Sequence, residues 1–151
     1  MAALKASFIF LTDLSRAMPI PHAIDFVELA AYGSEQTGGQ TGIRLLKDLD
    51  GRIAGRDVLL VEDVVDTGLT LNYLRRTLSL RGPASLHAVT LLDRPYRRLV
   101  LDLPVRYVGF TVPDEFFVGY GFDEQERFRG LPDLWIVRGA PALQNTVSAR
   151  V

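Results

Sequence analysis

The stretch VLLVEDVVDTGLT, running from Val58 to Thr70, decides the fold. Its first residues, Val58 to Val61, are all β-branched or aliphatic, the composition of a strand buried on both faces of a parallel sheet. The apolar run stops at Glu62 and Asp63, so the strand delivers two carboxylates to its own carboxyl end. After Val64 and Val65 come Asp66, Thr67 and Gly68. Thr70 then opens an amphipathic pattern that puts Leu71, Leu74 and Leu78 on one helix face. Strand, polar loop and helix in this order predict an open α/β sheet, which takes ligands in the crevice beyond the carboxyl ends of its strands.

These residue types fit a phosphorylated sugar held from two sides. Thr67, Gly68 and Thr70 sit where the loop enters the helix, so unpaired backbone N–H groups, two hydroxyls and the positive end of the helix dipole face a phosphate there. Gly68 lets the backbone come close. Glu62 and Asp63 repel phosphate, so a functional role for them is to face vicinal hydroxyls or a hard cation such as Mg2+. Asp66 lies between the two groups as a proton acceptor. A polar loop after a buried strand, with Asp or Thr capping the next helix, produces the same spacing without any ligand.

The stretch resembles the phosphoribosyl pyrophosphate (PRPP) binding motif of the type I phosphoribosyltransferases, an apolar strand, two acidic residues and then D-T/S-G-x-T. Its wording is closest to the hypoxanthine-guanine branch. Other segments match in order: Leu4-Lys5, YGS at Tyr32 to Ser34, RLLKDLD at Arg44 to Asp50, LLDRP at Leu91 to Pro95, YVGFTVPDEFFVGYGFD at Tyr107 to Asp123, and Arg129. The resemblance covers residues from about 4 to 138. It implies a mostly parallel twisted sheet flanked by helices, with a small hood and a flexible active-site loop. The implied division is a phosphoribosyltransferase domain over 1–138 and a tail over 139–151, with the family's N-terminal helix and strand expected to be missing before Leu4.

The activity implied by the resemblance is that of a pentosyltransferase of purine salvage, converting hypoxanthine or guanine and PRPP to IMP or GMP and pyrophosphate with Mg2+. Its site residues carry over position by position. Asp66 is the catalytic group, accepting a hydrogen bond or proton from purine N7. Glu62 and Asp63 take the ribose hydroxyls and, with Asp123, the metal, while Asp66, Thr67, Gly68, Leu69 and Thr70 hold the 5′-phosphate. Lys5 and Arg129 hold pyrophosphate. Arg94, Phe116 and Phe117 hold the purine, through the 6-oxo group, ring stacking and a backbone carbonyl respectively. Tyr32, Gly33 and Ser34 belong to the lid loop. Relatives form dimers or tetramers, which implies a homodimer or homotetramer here.

Three positions depart from the family pattern: Ala6 replaces a glycine, Ala31 a serine and Arg94 a lysine. A Cβ at Ala6 stands close to the pyrophosphate loop, and Arg94 keeps a donor but is longer and planar. These departures leave two alternatives, a catalytically impaired PRPP-binding remnant and a PRPP-sensing RNA-binding regulator of the same fold. Lys5, Arg94 and Arg44 also admit plain surface roles.

Composition narrows the setting. A chain of 151 residues is one domain, able to bury about two thirds of its unfolded surface. With 48% hydrophobic and 23% charged residues it is an ordinary globular chain, and a net charge of −1 supplies no general attraction to nucleic acid or anionic membranes. It has no cysteine, which excludes disulfides, thiolate catalysis and cysteine-ligated metals. His22 and His87 lack metal-site spacing. No apolar run approaches the roughly 18 residues of a membrane span, and Lys5, Asp13 and Arg16 interrupt any signal-like core, so a cytoplasmic location is the default expectation.

Along the chain, residues 6–17 predict a helix ended before Pro19 and Pro21, and Asp25 to Tyr32 a strand. Gly33 to Gly42 is polar and glycine-rich, the composition of a mobile segment, and the resemblance implies that it closes over the active site as a lid. Ile43 to Lys47 and Arg56 to Val61 read as neighbouring strands joined through a turn at Asp48 to Gly51, with Asp50-Gly51 as a hairpin signal. A helix over Leu69 to Leu80 and a strand over Leu86 to Leu92 complete a strand–helix–strand unit with parallel pairing. Further strands are expected at Val105 to Val112 and Leu134 to Val137, while the tail from Gly139 carries no pattern.

Overall fold

The computed structural model describes residues 1–32, 42–138 and 147–150. In chain order the elements are β1 (Ala2–Leu4), α1 (Phe8–Ala17), β2 (Phe26–Tyr32), β3 (Gly42–Lys47), β4 (Asp57–Val65), α2 (Leu69–Ser79), β5 (Ser85–Asp93), β6 (Tyr107–Thr111), β7 (Phe117–Val118), β8 (Trp135–Val137) and β9 (Val147–Arg150). Six of the strands form one sheet in the order β3-β2-β1-β4-β5-β6. β2, β1, β4, β5 and β6 run parallel, and only β3 is antiparallel to its neighbour.

The sheet is covered on both faces, which explains the sequence of its middle strands. Leu71, Leu74 and Leu78 of α2 are all buried and pack with Ala3, Val27, Leu60 and Ala88. On the opposite face Leu11 of α1 packs with Ala2, Val61 and Val89. Consecutive strand residues point to opposite faces, so Ala2 joins one core and Ala3 the other. Each buried leucine of α2 contributes about 1.5–3 kcal/mol through removal of apolar surface from water. β4 is the longest contact in the sheet, paired with β5 from Asp57↔Ser85 to Val65↔Asp93.

Several expectations are corrected. β3 does not neighbour β4; it pairs antiparallel with β2, from Tyr32↔Gly42 to Glu28↔Lys47, and β2 and β1 stand between β3 and β4. The Asp50-Gly51 turn is no hairpin. Both of its amides instead donate to the Asp25 carboxylate, at 3.0 and 3.2 Å. β4 also does not end before the acidic pair, because Glu62 and Asp63 lie within the strand. Val147–Arg150, read as patternless tail, form β9 against β8, while Ala2–Leu4 form β1 between β2 and β4.

β7, β8 and β9 make a second, three-stranded sheet, in the place of the expected hood. The adjacent phenylalanines separate there: Phe117, the first residue of β7, is buried against Leu91, Leu92 and Val112, while Phe116 just before the strand is half-exposed. The lid residues Gly33 and Ser34 lie outside the described residues, and Tyr32 is the last residue of β2.

Candidate active site

The carboxyl ends of β1 and β4 and the start of α2 converge on a cavity of about 500 Å³. Lys5, Glu62, Asp63, Asp66, Thr67, Gly68, Thr70, Asp123 and Arg129 all line it, so most of the residues selected from sequence meet in one place. A larger cavity of about 970 Å³ lies at the amino ends of the strands, around Met1, Val58 and His87, and holds none of them.

The phosphate-type half of the site is built by the loop between β4 and α2. Gly68 caps α2 in the left-handed region at φ +83°, a conformation that costs a residue with a Cβ about 1–2 kcal/mol. A Cβ there would also stand 2.8 Å from Leu103 Cδ2. The loop is fixed from behind, as the amides of Leu99 and Val100 donate to the Thr67 carbonyl at 2.9 and 3.2 Å. Thr67 Oγ1 accepts the Leu69 amide at 3.4 Å, which orients the first turn of the helix. Leu69 itself points its side chain outward, half-exposed, so only its backbone is available to a ligand.

The acidic half is less solvated than the sequence suggests. Glu62 is buried, and its Oε1 has no hydrogen-bond partner among the described residues. Burial, reinforced by the charge of Asp63, pushes the Glu62 carboxyl well above the usual carboxylate range. Burial likewise raises Asp63 to about 6, against the opposing pull of backbone amides and of Arg129. Both groups therefore favour a partner that donates hydrogen bonds or brings positive charge.

The unsatisfied Glu62 oxygen and the raised Asp63 carboxyl are hard oxygen donors of the kind that suits Mg2+, which commonly takes one or two carboxylates and completes its shell with substrate oxygens and water. The described residues contain no ready group of three acidic or histidine side chains able to hold an ion alone. Glu62, Asp63 and Asp123 all line the same cavity. Asp123 faces Arg129 at 2.8 Å and accepts the Glu126 amide at 2.8 Å.

Arg129 and Lys5 come together across a long sequence separation. Gly121 makes this possible: at φ +101° it lies so close to the Ala6 carbonyl that a Cβ would stand 2.0 Å from that oxygen. Arg129 donates to the Gly121 carbonyl at 2.8 Å, which anchors the guanidinium beside the Lys5 loop. Glu126, which sequence reasoning missed, bridges the two cations, 3.2 Å from Lys5 Nζ and 3.3 Å from Arg129 Nη2. Its spacing three residues after Asp123 and three before Arg129 was the available signal.

Arg94, Phe116 and Phe117 do not line this cavity. Arg94 is nevertheless tied to it, since its Nη1 lies 3.7 Å from Asp66 Oδ2 and its amide donates to the Val65 carbonyl at 3.0 Å. It also pairs with Asp114, and Arg97 reaches both Asp66, at 3.6 Å, and Asp114, at 3.7 Å. Asp93 is taken by Arg98, not by Arg94. Asp114 and Arg97 were not selected from sequence, although the Pro113-Asp114 turn and the RPYRR run mark their positions. Arg44 is exposed and absent from the cavity wall.

The arrangement can hold a doubly anionic ligand between the α2 amino end and the Lys5–Arg129 pair, with polar hydrogens turned to Glu62 and Asp63. The chain is also similar to known proteins. The phosphoribosyl transferase domain family matches residues 1–125. The hypoxanthine phosphoribosyltransferase of Salmonella typhimurium is 50% identical over 129 residues, 85% of this chain and 71% of the relative. The crystal structure of a hypoxanthine-guanine phosphoribosyltransferase from Bacillus anthracis superposes with a TM-score of 0.83 at 45% identity, covering 91% of this chain and 79% of that one. The hypoxanthine phosphoribosyltransferase of Trypanosoma cruzi in complex with the product IMP gives 0.82 at 39% identity over 91% of this chain and 73% of that one. With residues 1–125 matched, half of the aligned positions identical to a named relative and the parallel sheet shared with solved structures, the chain belongs to the type I phosphoribosyltransferase family, in its hypoxanthine-guanine branch.

Proposed function

We propose that this chain transfers the 5-phosphoribosyl group of PRPP to N9 of hypoxanthine or guanine, yielding IMP or GMP and pyrophosphate. The observation that carries this reading is one cavity lined by Asp66, by Thr67, Gly68 and Thr70 at the start of α2, and by Lys5 and Arg129. N9 forms the new bond to ribose C1, the C1–oxygen bond breaks, and its electron pair leaves with pyrophosphate. Positive charge grows on the ribose and negative charge on the departing oxygens, so the site must stabilise both.

Thr67, Gly68, Leu69 and Thr70 grip the 5′-phosphate through backbone amides and hydroxyls. Glu62 and Asp63 accept hydrogen bonds from the ribose hydroxyls. Lys5 and Arg129 hold the leaving group. Asp66 takes the N7 hydrogen bond or proton, and Arg94 donates to the 6-oxo group while Phe116 stacks on the ring. Phe117 contributes its backbone, since its side chain is committed to the core. Glu62 or Asp63 would hold Mg2+, which would supply charge neutralisation of the leaving group.

The exposed apolar groups Leu99, Leu101 and Phe110 support a homodimer or homotetramer, and the similarity to hypoxanthine phosphoribosyltransferases supports a cytoplasmic setting. The test is chromatographic detection of IMP from PRPP, hypoxanthine and Mg2+. Equal amounts of IMP and pyrophosphate are expected. PRPP binding without product would favour the impaired remnant, and salt-sensitive RNA retention on a filter would favour the regulator.

A further inference from the structure

We infer that Glu126 is an internal counter-anion of the pyrophosphate end of the cavity, occupying Lys5 and Arg129 when that end is empty and yielding them to the leaving group's oxygens. The inference rests on the reading of Lys5 and Arg129 as the pyrophosphate cations, and it makes the charge of Glu126 a determinant of how tightly pyrophosphate is held and how readily it departs.

The geometry is that of a substitute ligand. The two Glu126 oxygens are divided between the cations, Oε2 at 3.2 Å from Lys5 Nζ and Oε1 at 3.3 Å from Arg129 Nη2. A phosphoryl group also presents separate oxygens to separate donors, so one carboxylate covers the contacts that a phosphate edge would make. The two cations lie on segments more than a hundred residues apart, and Glu126 is the one acidic group that pairs with both among the described residues. Asp123 pairs only with Arg129, and Lys5 has no other ion-pair partner among the described residues.

The backbone is shaped to present this side chain. Glu124 and Arg127 exchange amide hydrogen bonds at 3.2 and 3.0 Å, and the two residues between them, Gln125 at φ +52° and Glu126 at φ +64°, are both left-handed. That is a tight turn which normally takes Asn-Gly or Asp-Gly, because residues with a Cβ are strained there. The amide of Glu126 donates to Asp123 at 2.8 Å and completes the turn. A non-glycine residue held in this conformation places its carboxylate between the two cations, while remaining exposed enough to swing out.

Displacement is electrostatically feasible. Lys5 and Glu126 are both largely solvated, so their pairing is weak and easily exchanged for a ligand carrying several negative charges. Arg129 is mostly enclosed and stays anchored on Gly121 and Asp123 when Glu126 leaves. The cavity therefore retains a fixed guanidinium and exchanges one mobile anion for another.

The test is calorimetric titration of the full chain with inorganic pyrophosphate in excess Mg2+, comparing the unmodified protein with Glu126→Gln and Glu124→Gln. Both variants remove one negative charge from the same turn, but among the described residues Glu124 pairs with neither cation. Glu126→Gln is expected to bind pyrophosphate roughly three- to tenfold more tightly, the range over which one or two exposed ion pairs shift an equilibrium, with Glu124→Gln unchanged. Glu126→Ala, which cannot bridge the cations at all, is expected to tighten binding at least as much. Equal affinity in the unmodified chain and Glu126→Gln, or equal tightening by Glu124→Gln, overturns the inference while leaving the site reading intact. Absence of pyrophosphate binding by all the proteins, together with absence of IMP formation, overturns the site reading and the inference with it.

Discussion

Arg94 Nη1 lies 3.7 Å from Asp66 Oδ2, and the Arg94 amide bonds the Val65 carbonyl at 3.0 Å, so the ends of β4 and β5 present an acid and a guanidinium side by side. Asp66 Oδ1 and Arg94 Nε are both buried without hydrogen-bond partners among the described residues. An acceptor and a donor held together in this way complement an oxopurine edge, where N7–H donates and the 6-oxo oxygen accepts. Asp66→Asn keeps the shape and removes the charge. Turnover of hypoxanthine should fall by about a hundredfold or more, the scale of general-base effects, with little change in PRPP affinity. Unchanged turnover would remove Asp66 from the reaction.

Arg94→Met should raise KM for the base by roughly ten- to a hundredfold, as expected for losing a hydrogen bond from a charged donor. Arg94→Lys restores a donor and should recover most of that loss, although its point charge cannot also span Asp66 and Asp114. Steady-state kinetics with hypoxanthine, guanine and xanthine would distinguish recognition of the base from a purely structural ion pair, which would alter stability and leave the three KM values in their original ratio.

Glu62 and Asp63 give the site a pH signature. Burial raises both carboxyls, Asp63 from 3.8 to about 6 and Glu62 well above its ordinary value, so the folded state holds protons that the unfolded chain has released. Stability of the ligand-free protein must then fall as pH rises from about 4 to 6, and the Asp63 contribution is fully lost above about 6. The melting temperature should drop by several degrees between pH 5 and 7.5, while affinity for Mg2+ and PRPP rises over the same interval because both carboxylates must be ionised to accept. Asp63→Asn should remove the part of both trends that lies below about pH 6 and leave the part that belongs to Glu62. A melting temperature that rises through this window in the unmodified chain would contradict the assignment.

The close approach of Gly121 to Ala6 predicts a stability effect with a functional consequence. Gly121→Ala adds a Cβ at φ +101° and 2.0 Å from a backbone oxygen, which should cost about 2–4 kcal/mol in urea unfolding. The same change should loosen pyrophosphate binding, because it separates the Arg129 anchor from the Lys5 loop. Gly130→Ala has open space around its new Cβ and should leave both properties nearly unaltered.

The central unit was legible in sequence for physical reasons. Val58 to Val61 had to be covered on both faces, and the period of Leu71, Leu74 and Leu78 matched a helix that covers one of them. The position of β3 was not legible, because Asp50-Gly51 has hairpin chemistry while its amides are in fact consumed by Asp25, whose location depends on tertiary structure. Glu126, Asp114 and Arg97 were missed for a related reason. They are exposed side chains whose partners lie in distant segments or across irregular turns, and no hydrophobic period marks such pairs. The buried state of Glu62 was equally hidden, since strand alternation gives a direction but not the depth of the surrounding core.

The ribose-holding role of the β4 acids is tested most directly by calorimetric titration of PRPP in excess Mg2+ into the unmodified chain and into the Glu62→Gln/Asp63→Asn double variant. Saturable binding at one site per chain, weakened at least tenfold in the double variant, is the predicted result. No saturable binding by the unmodified chain, or equal affinity in the two proteins, would contradict it.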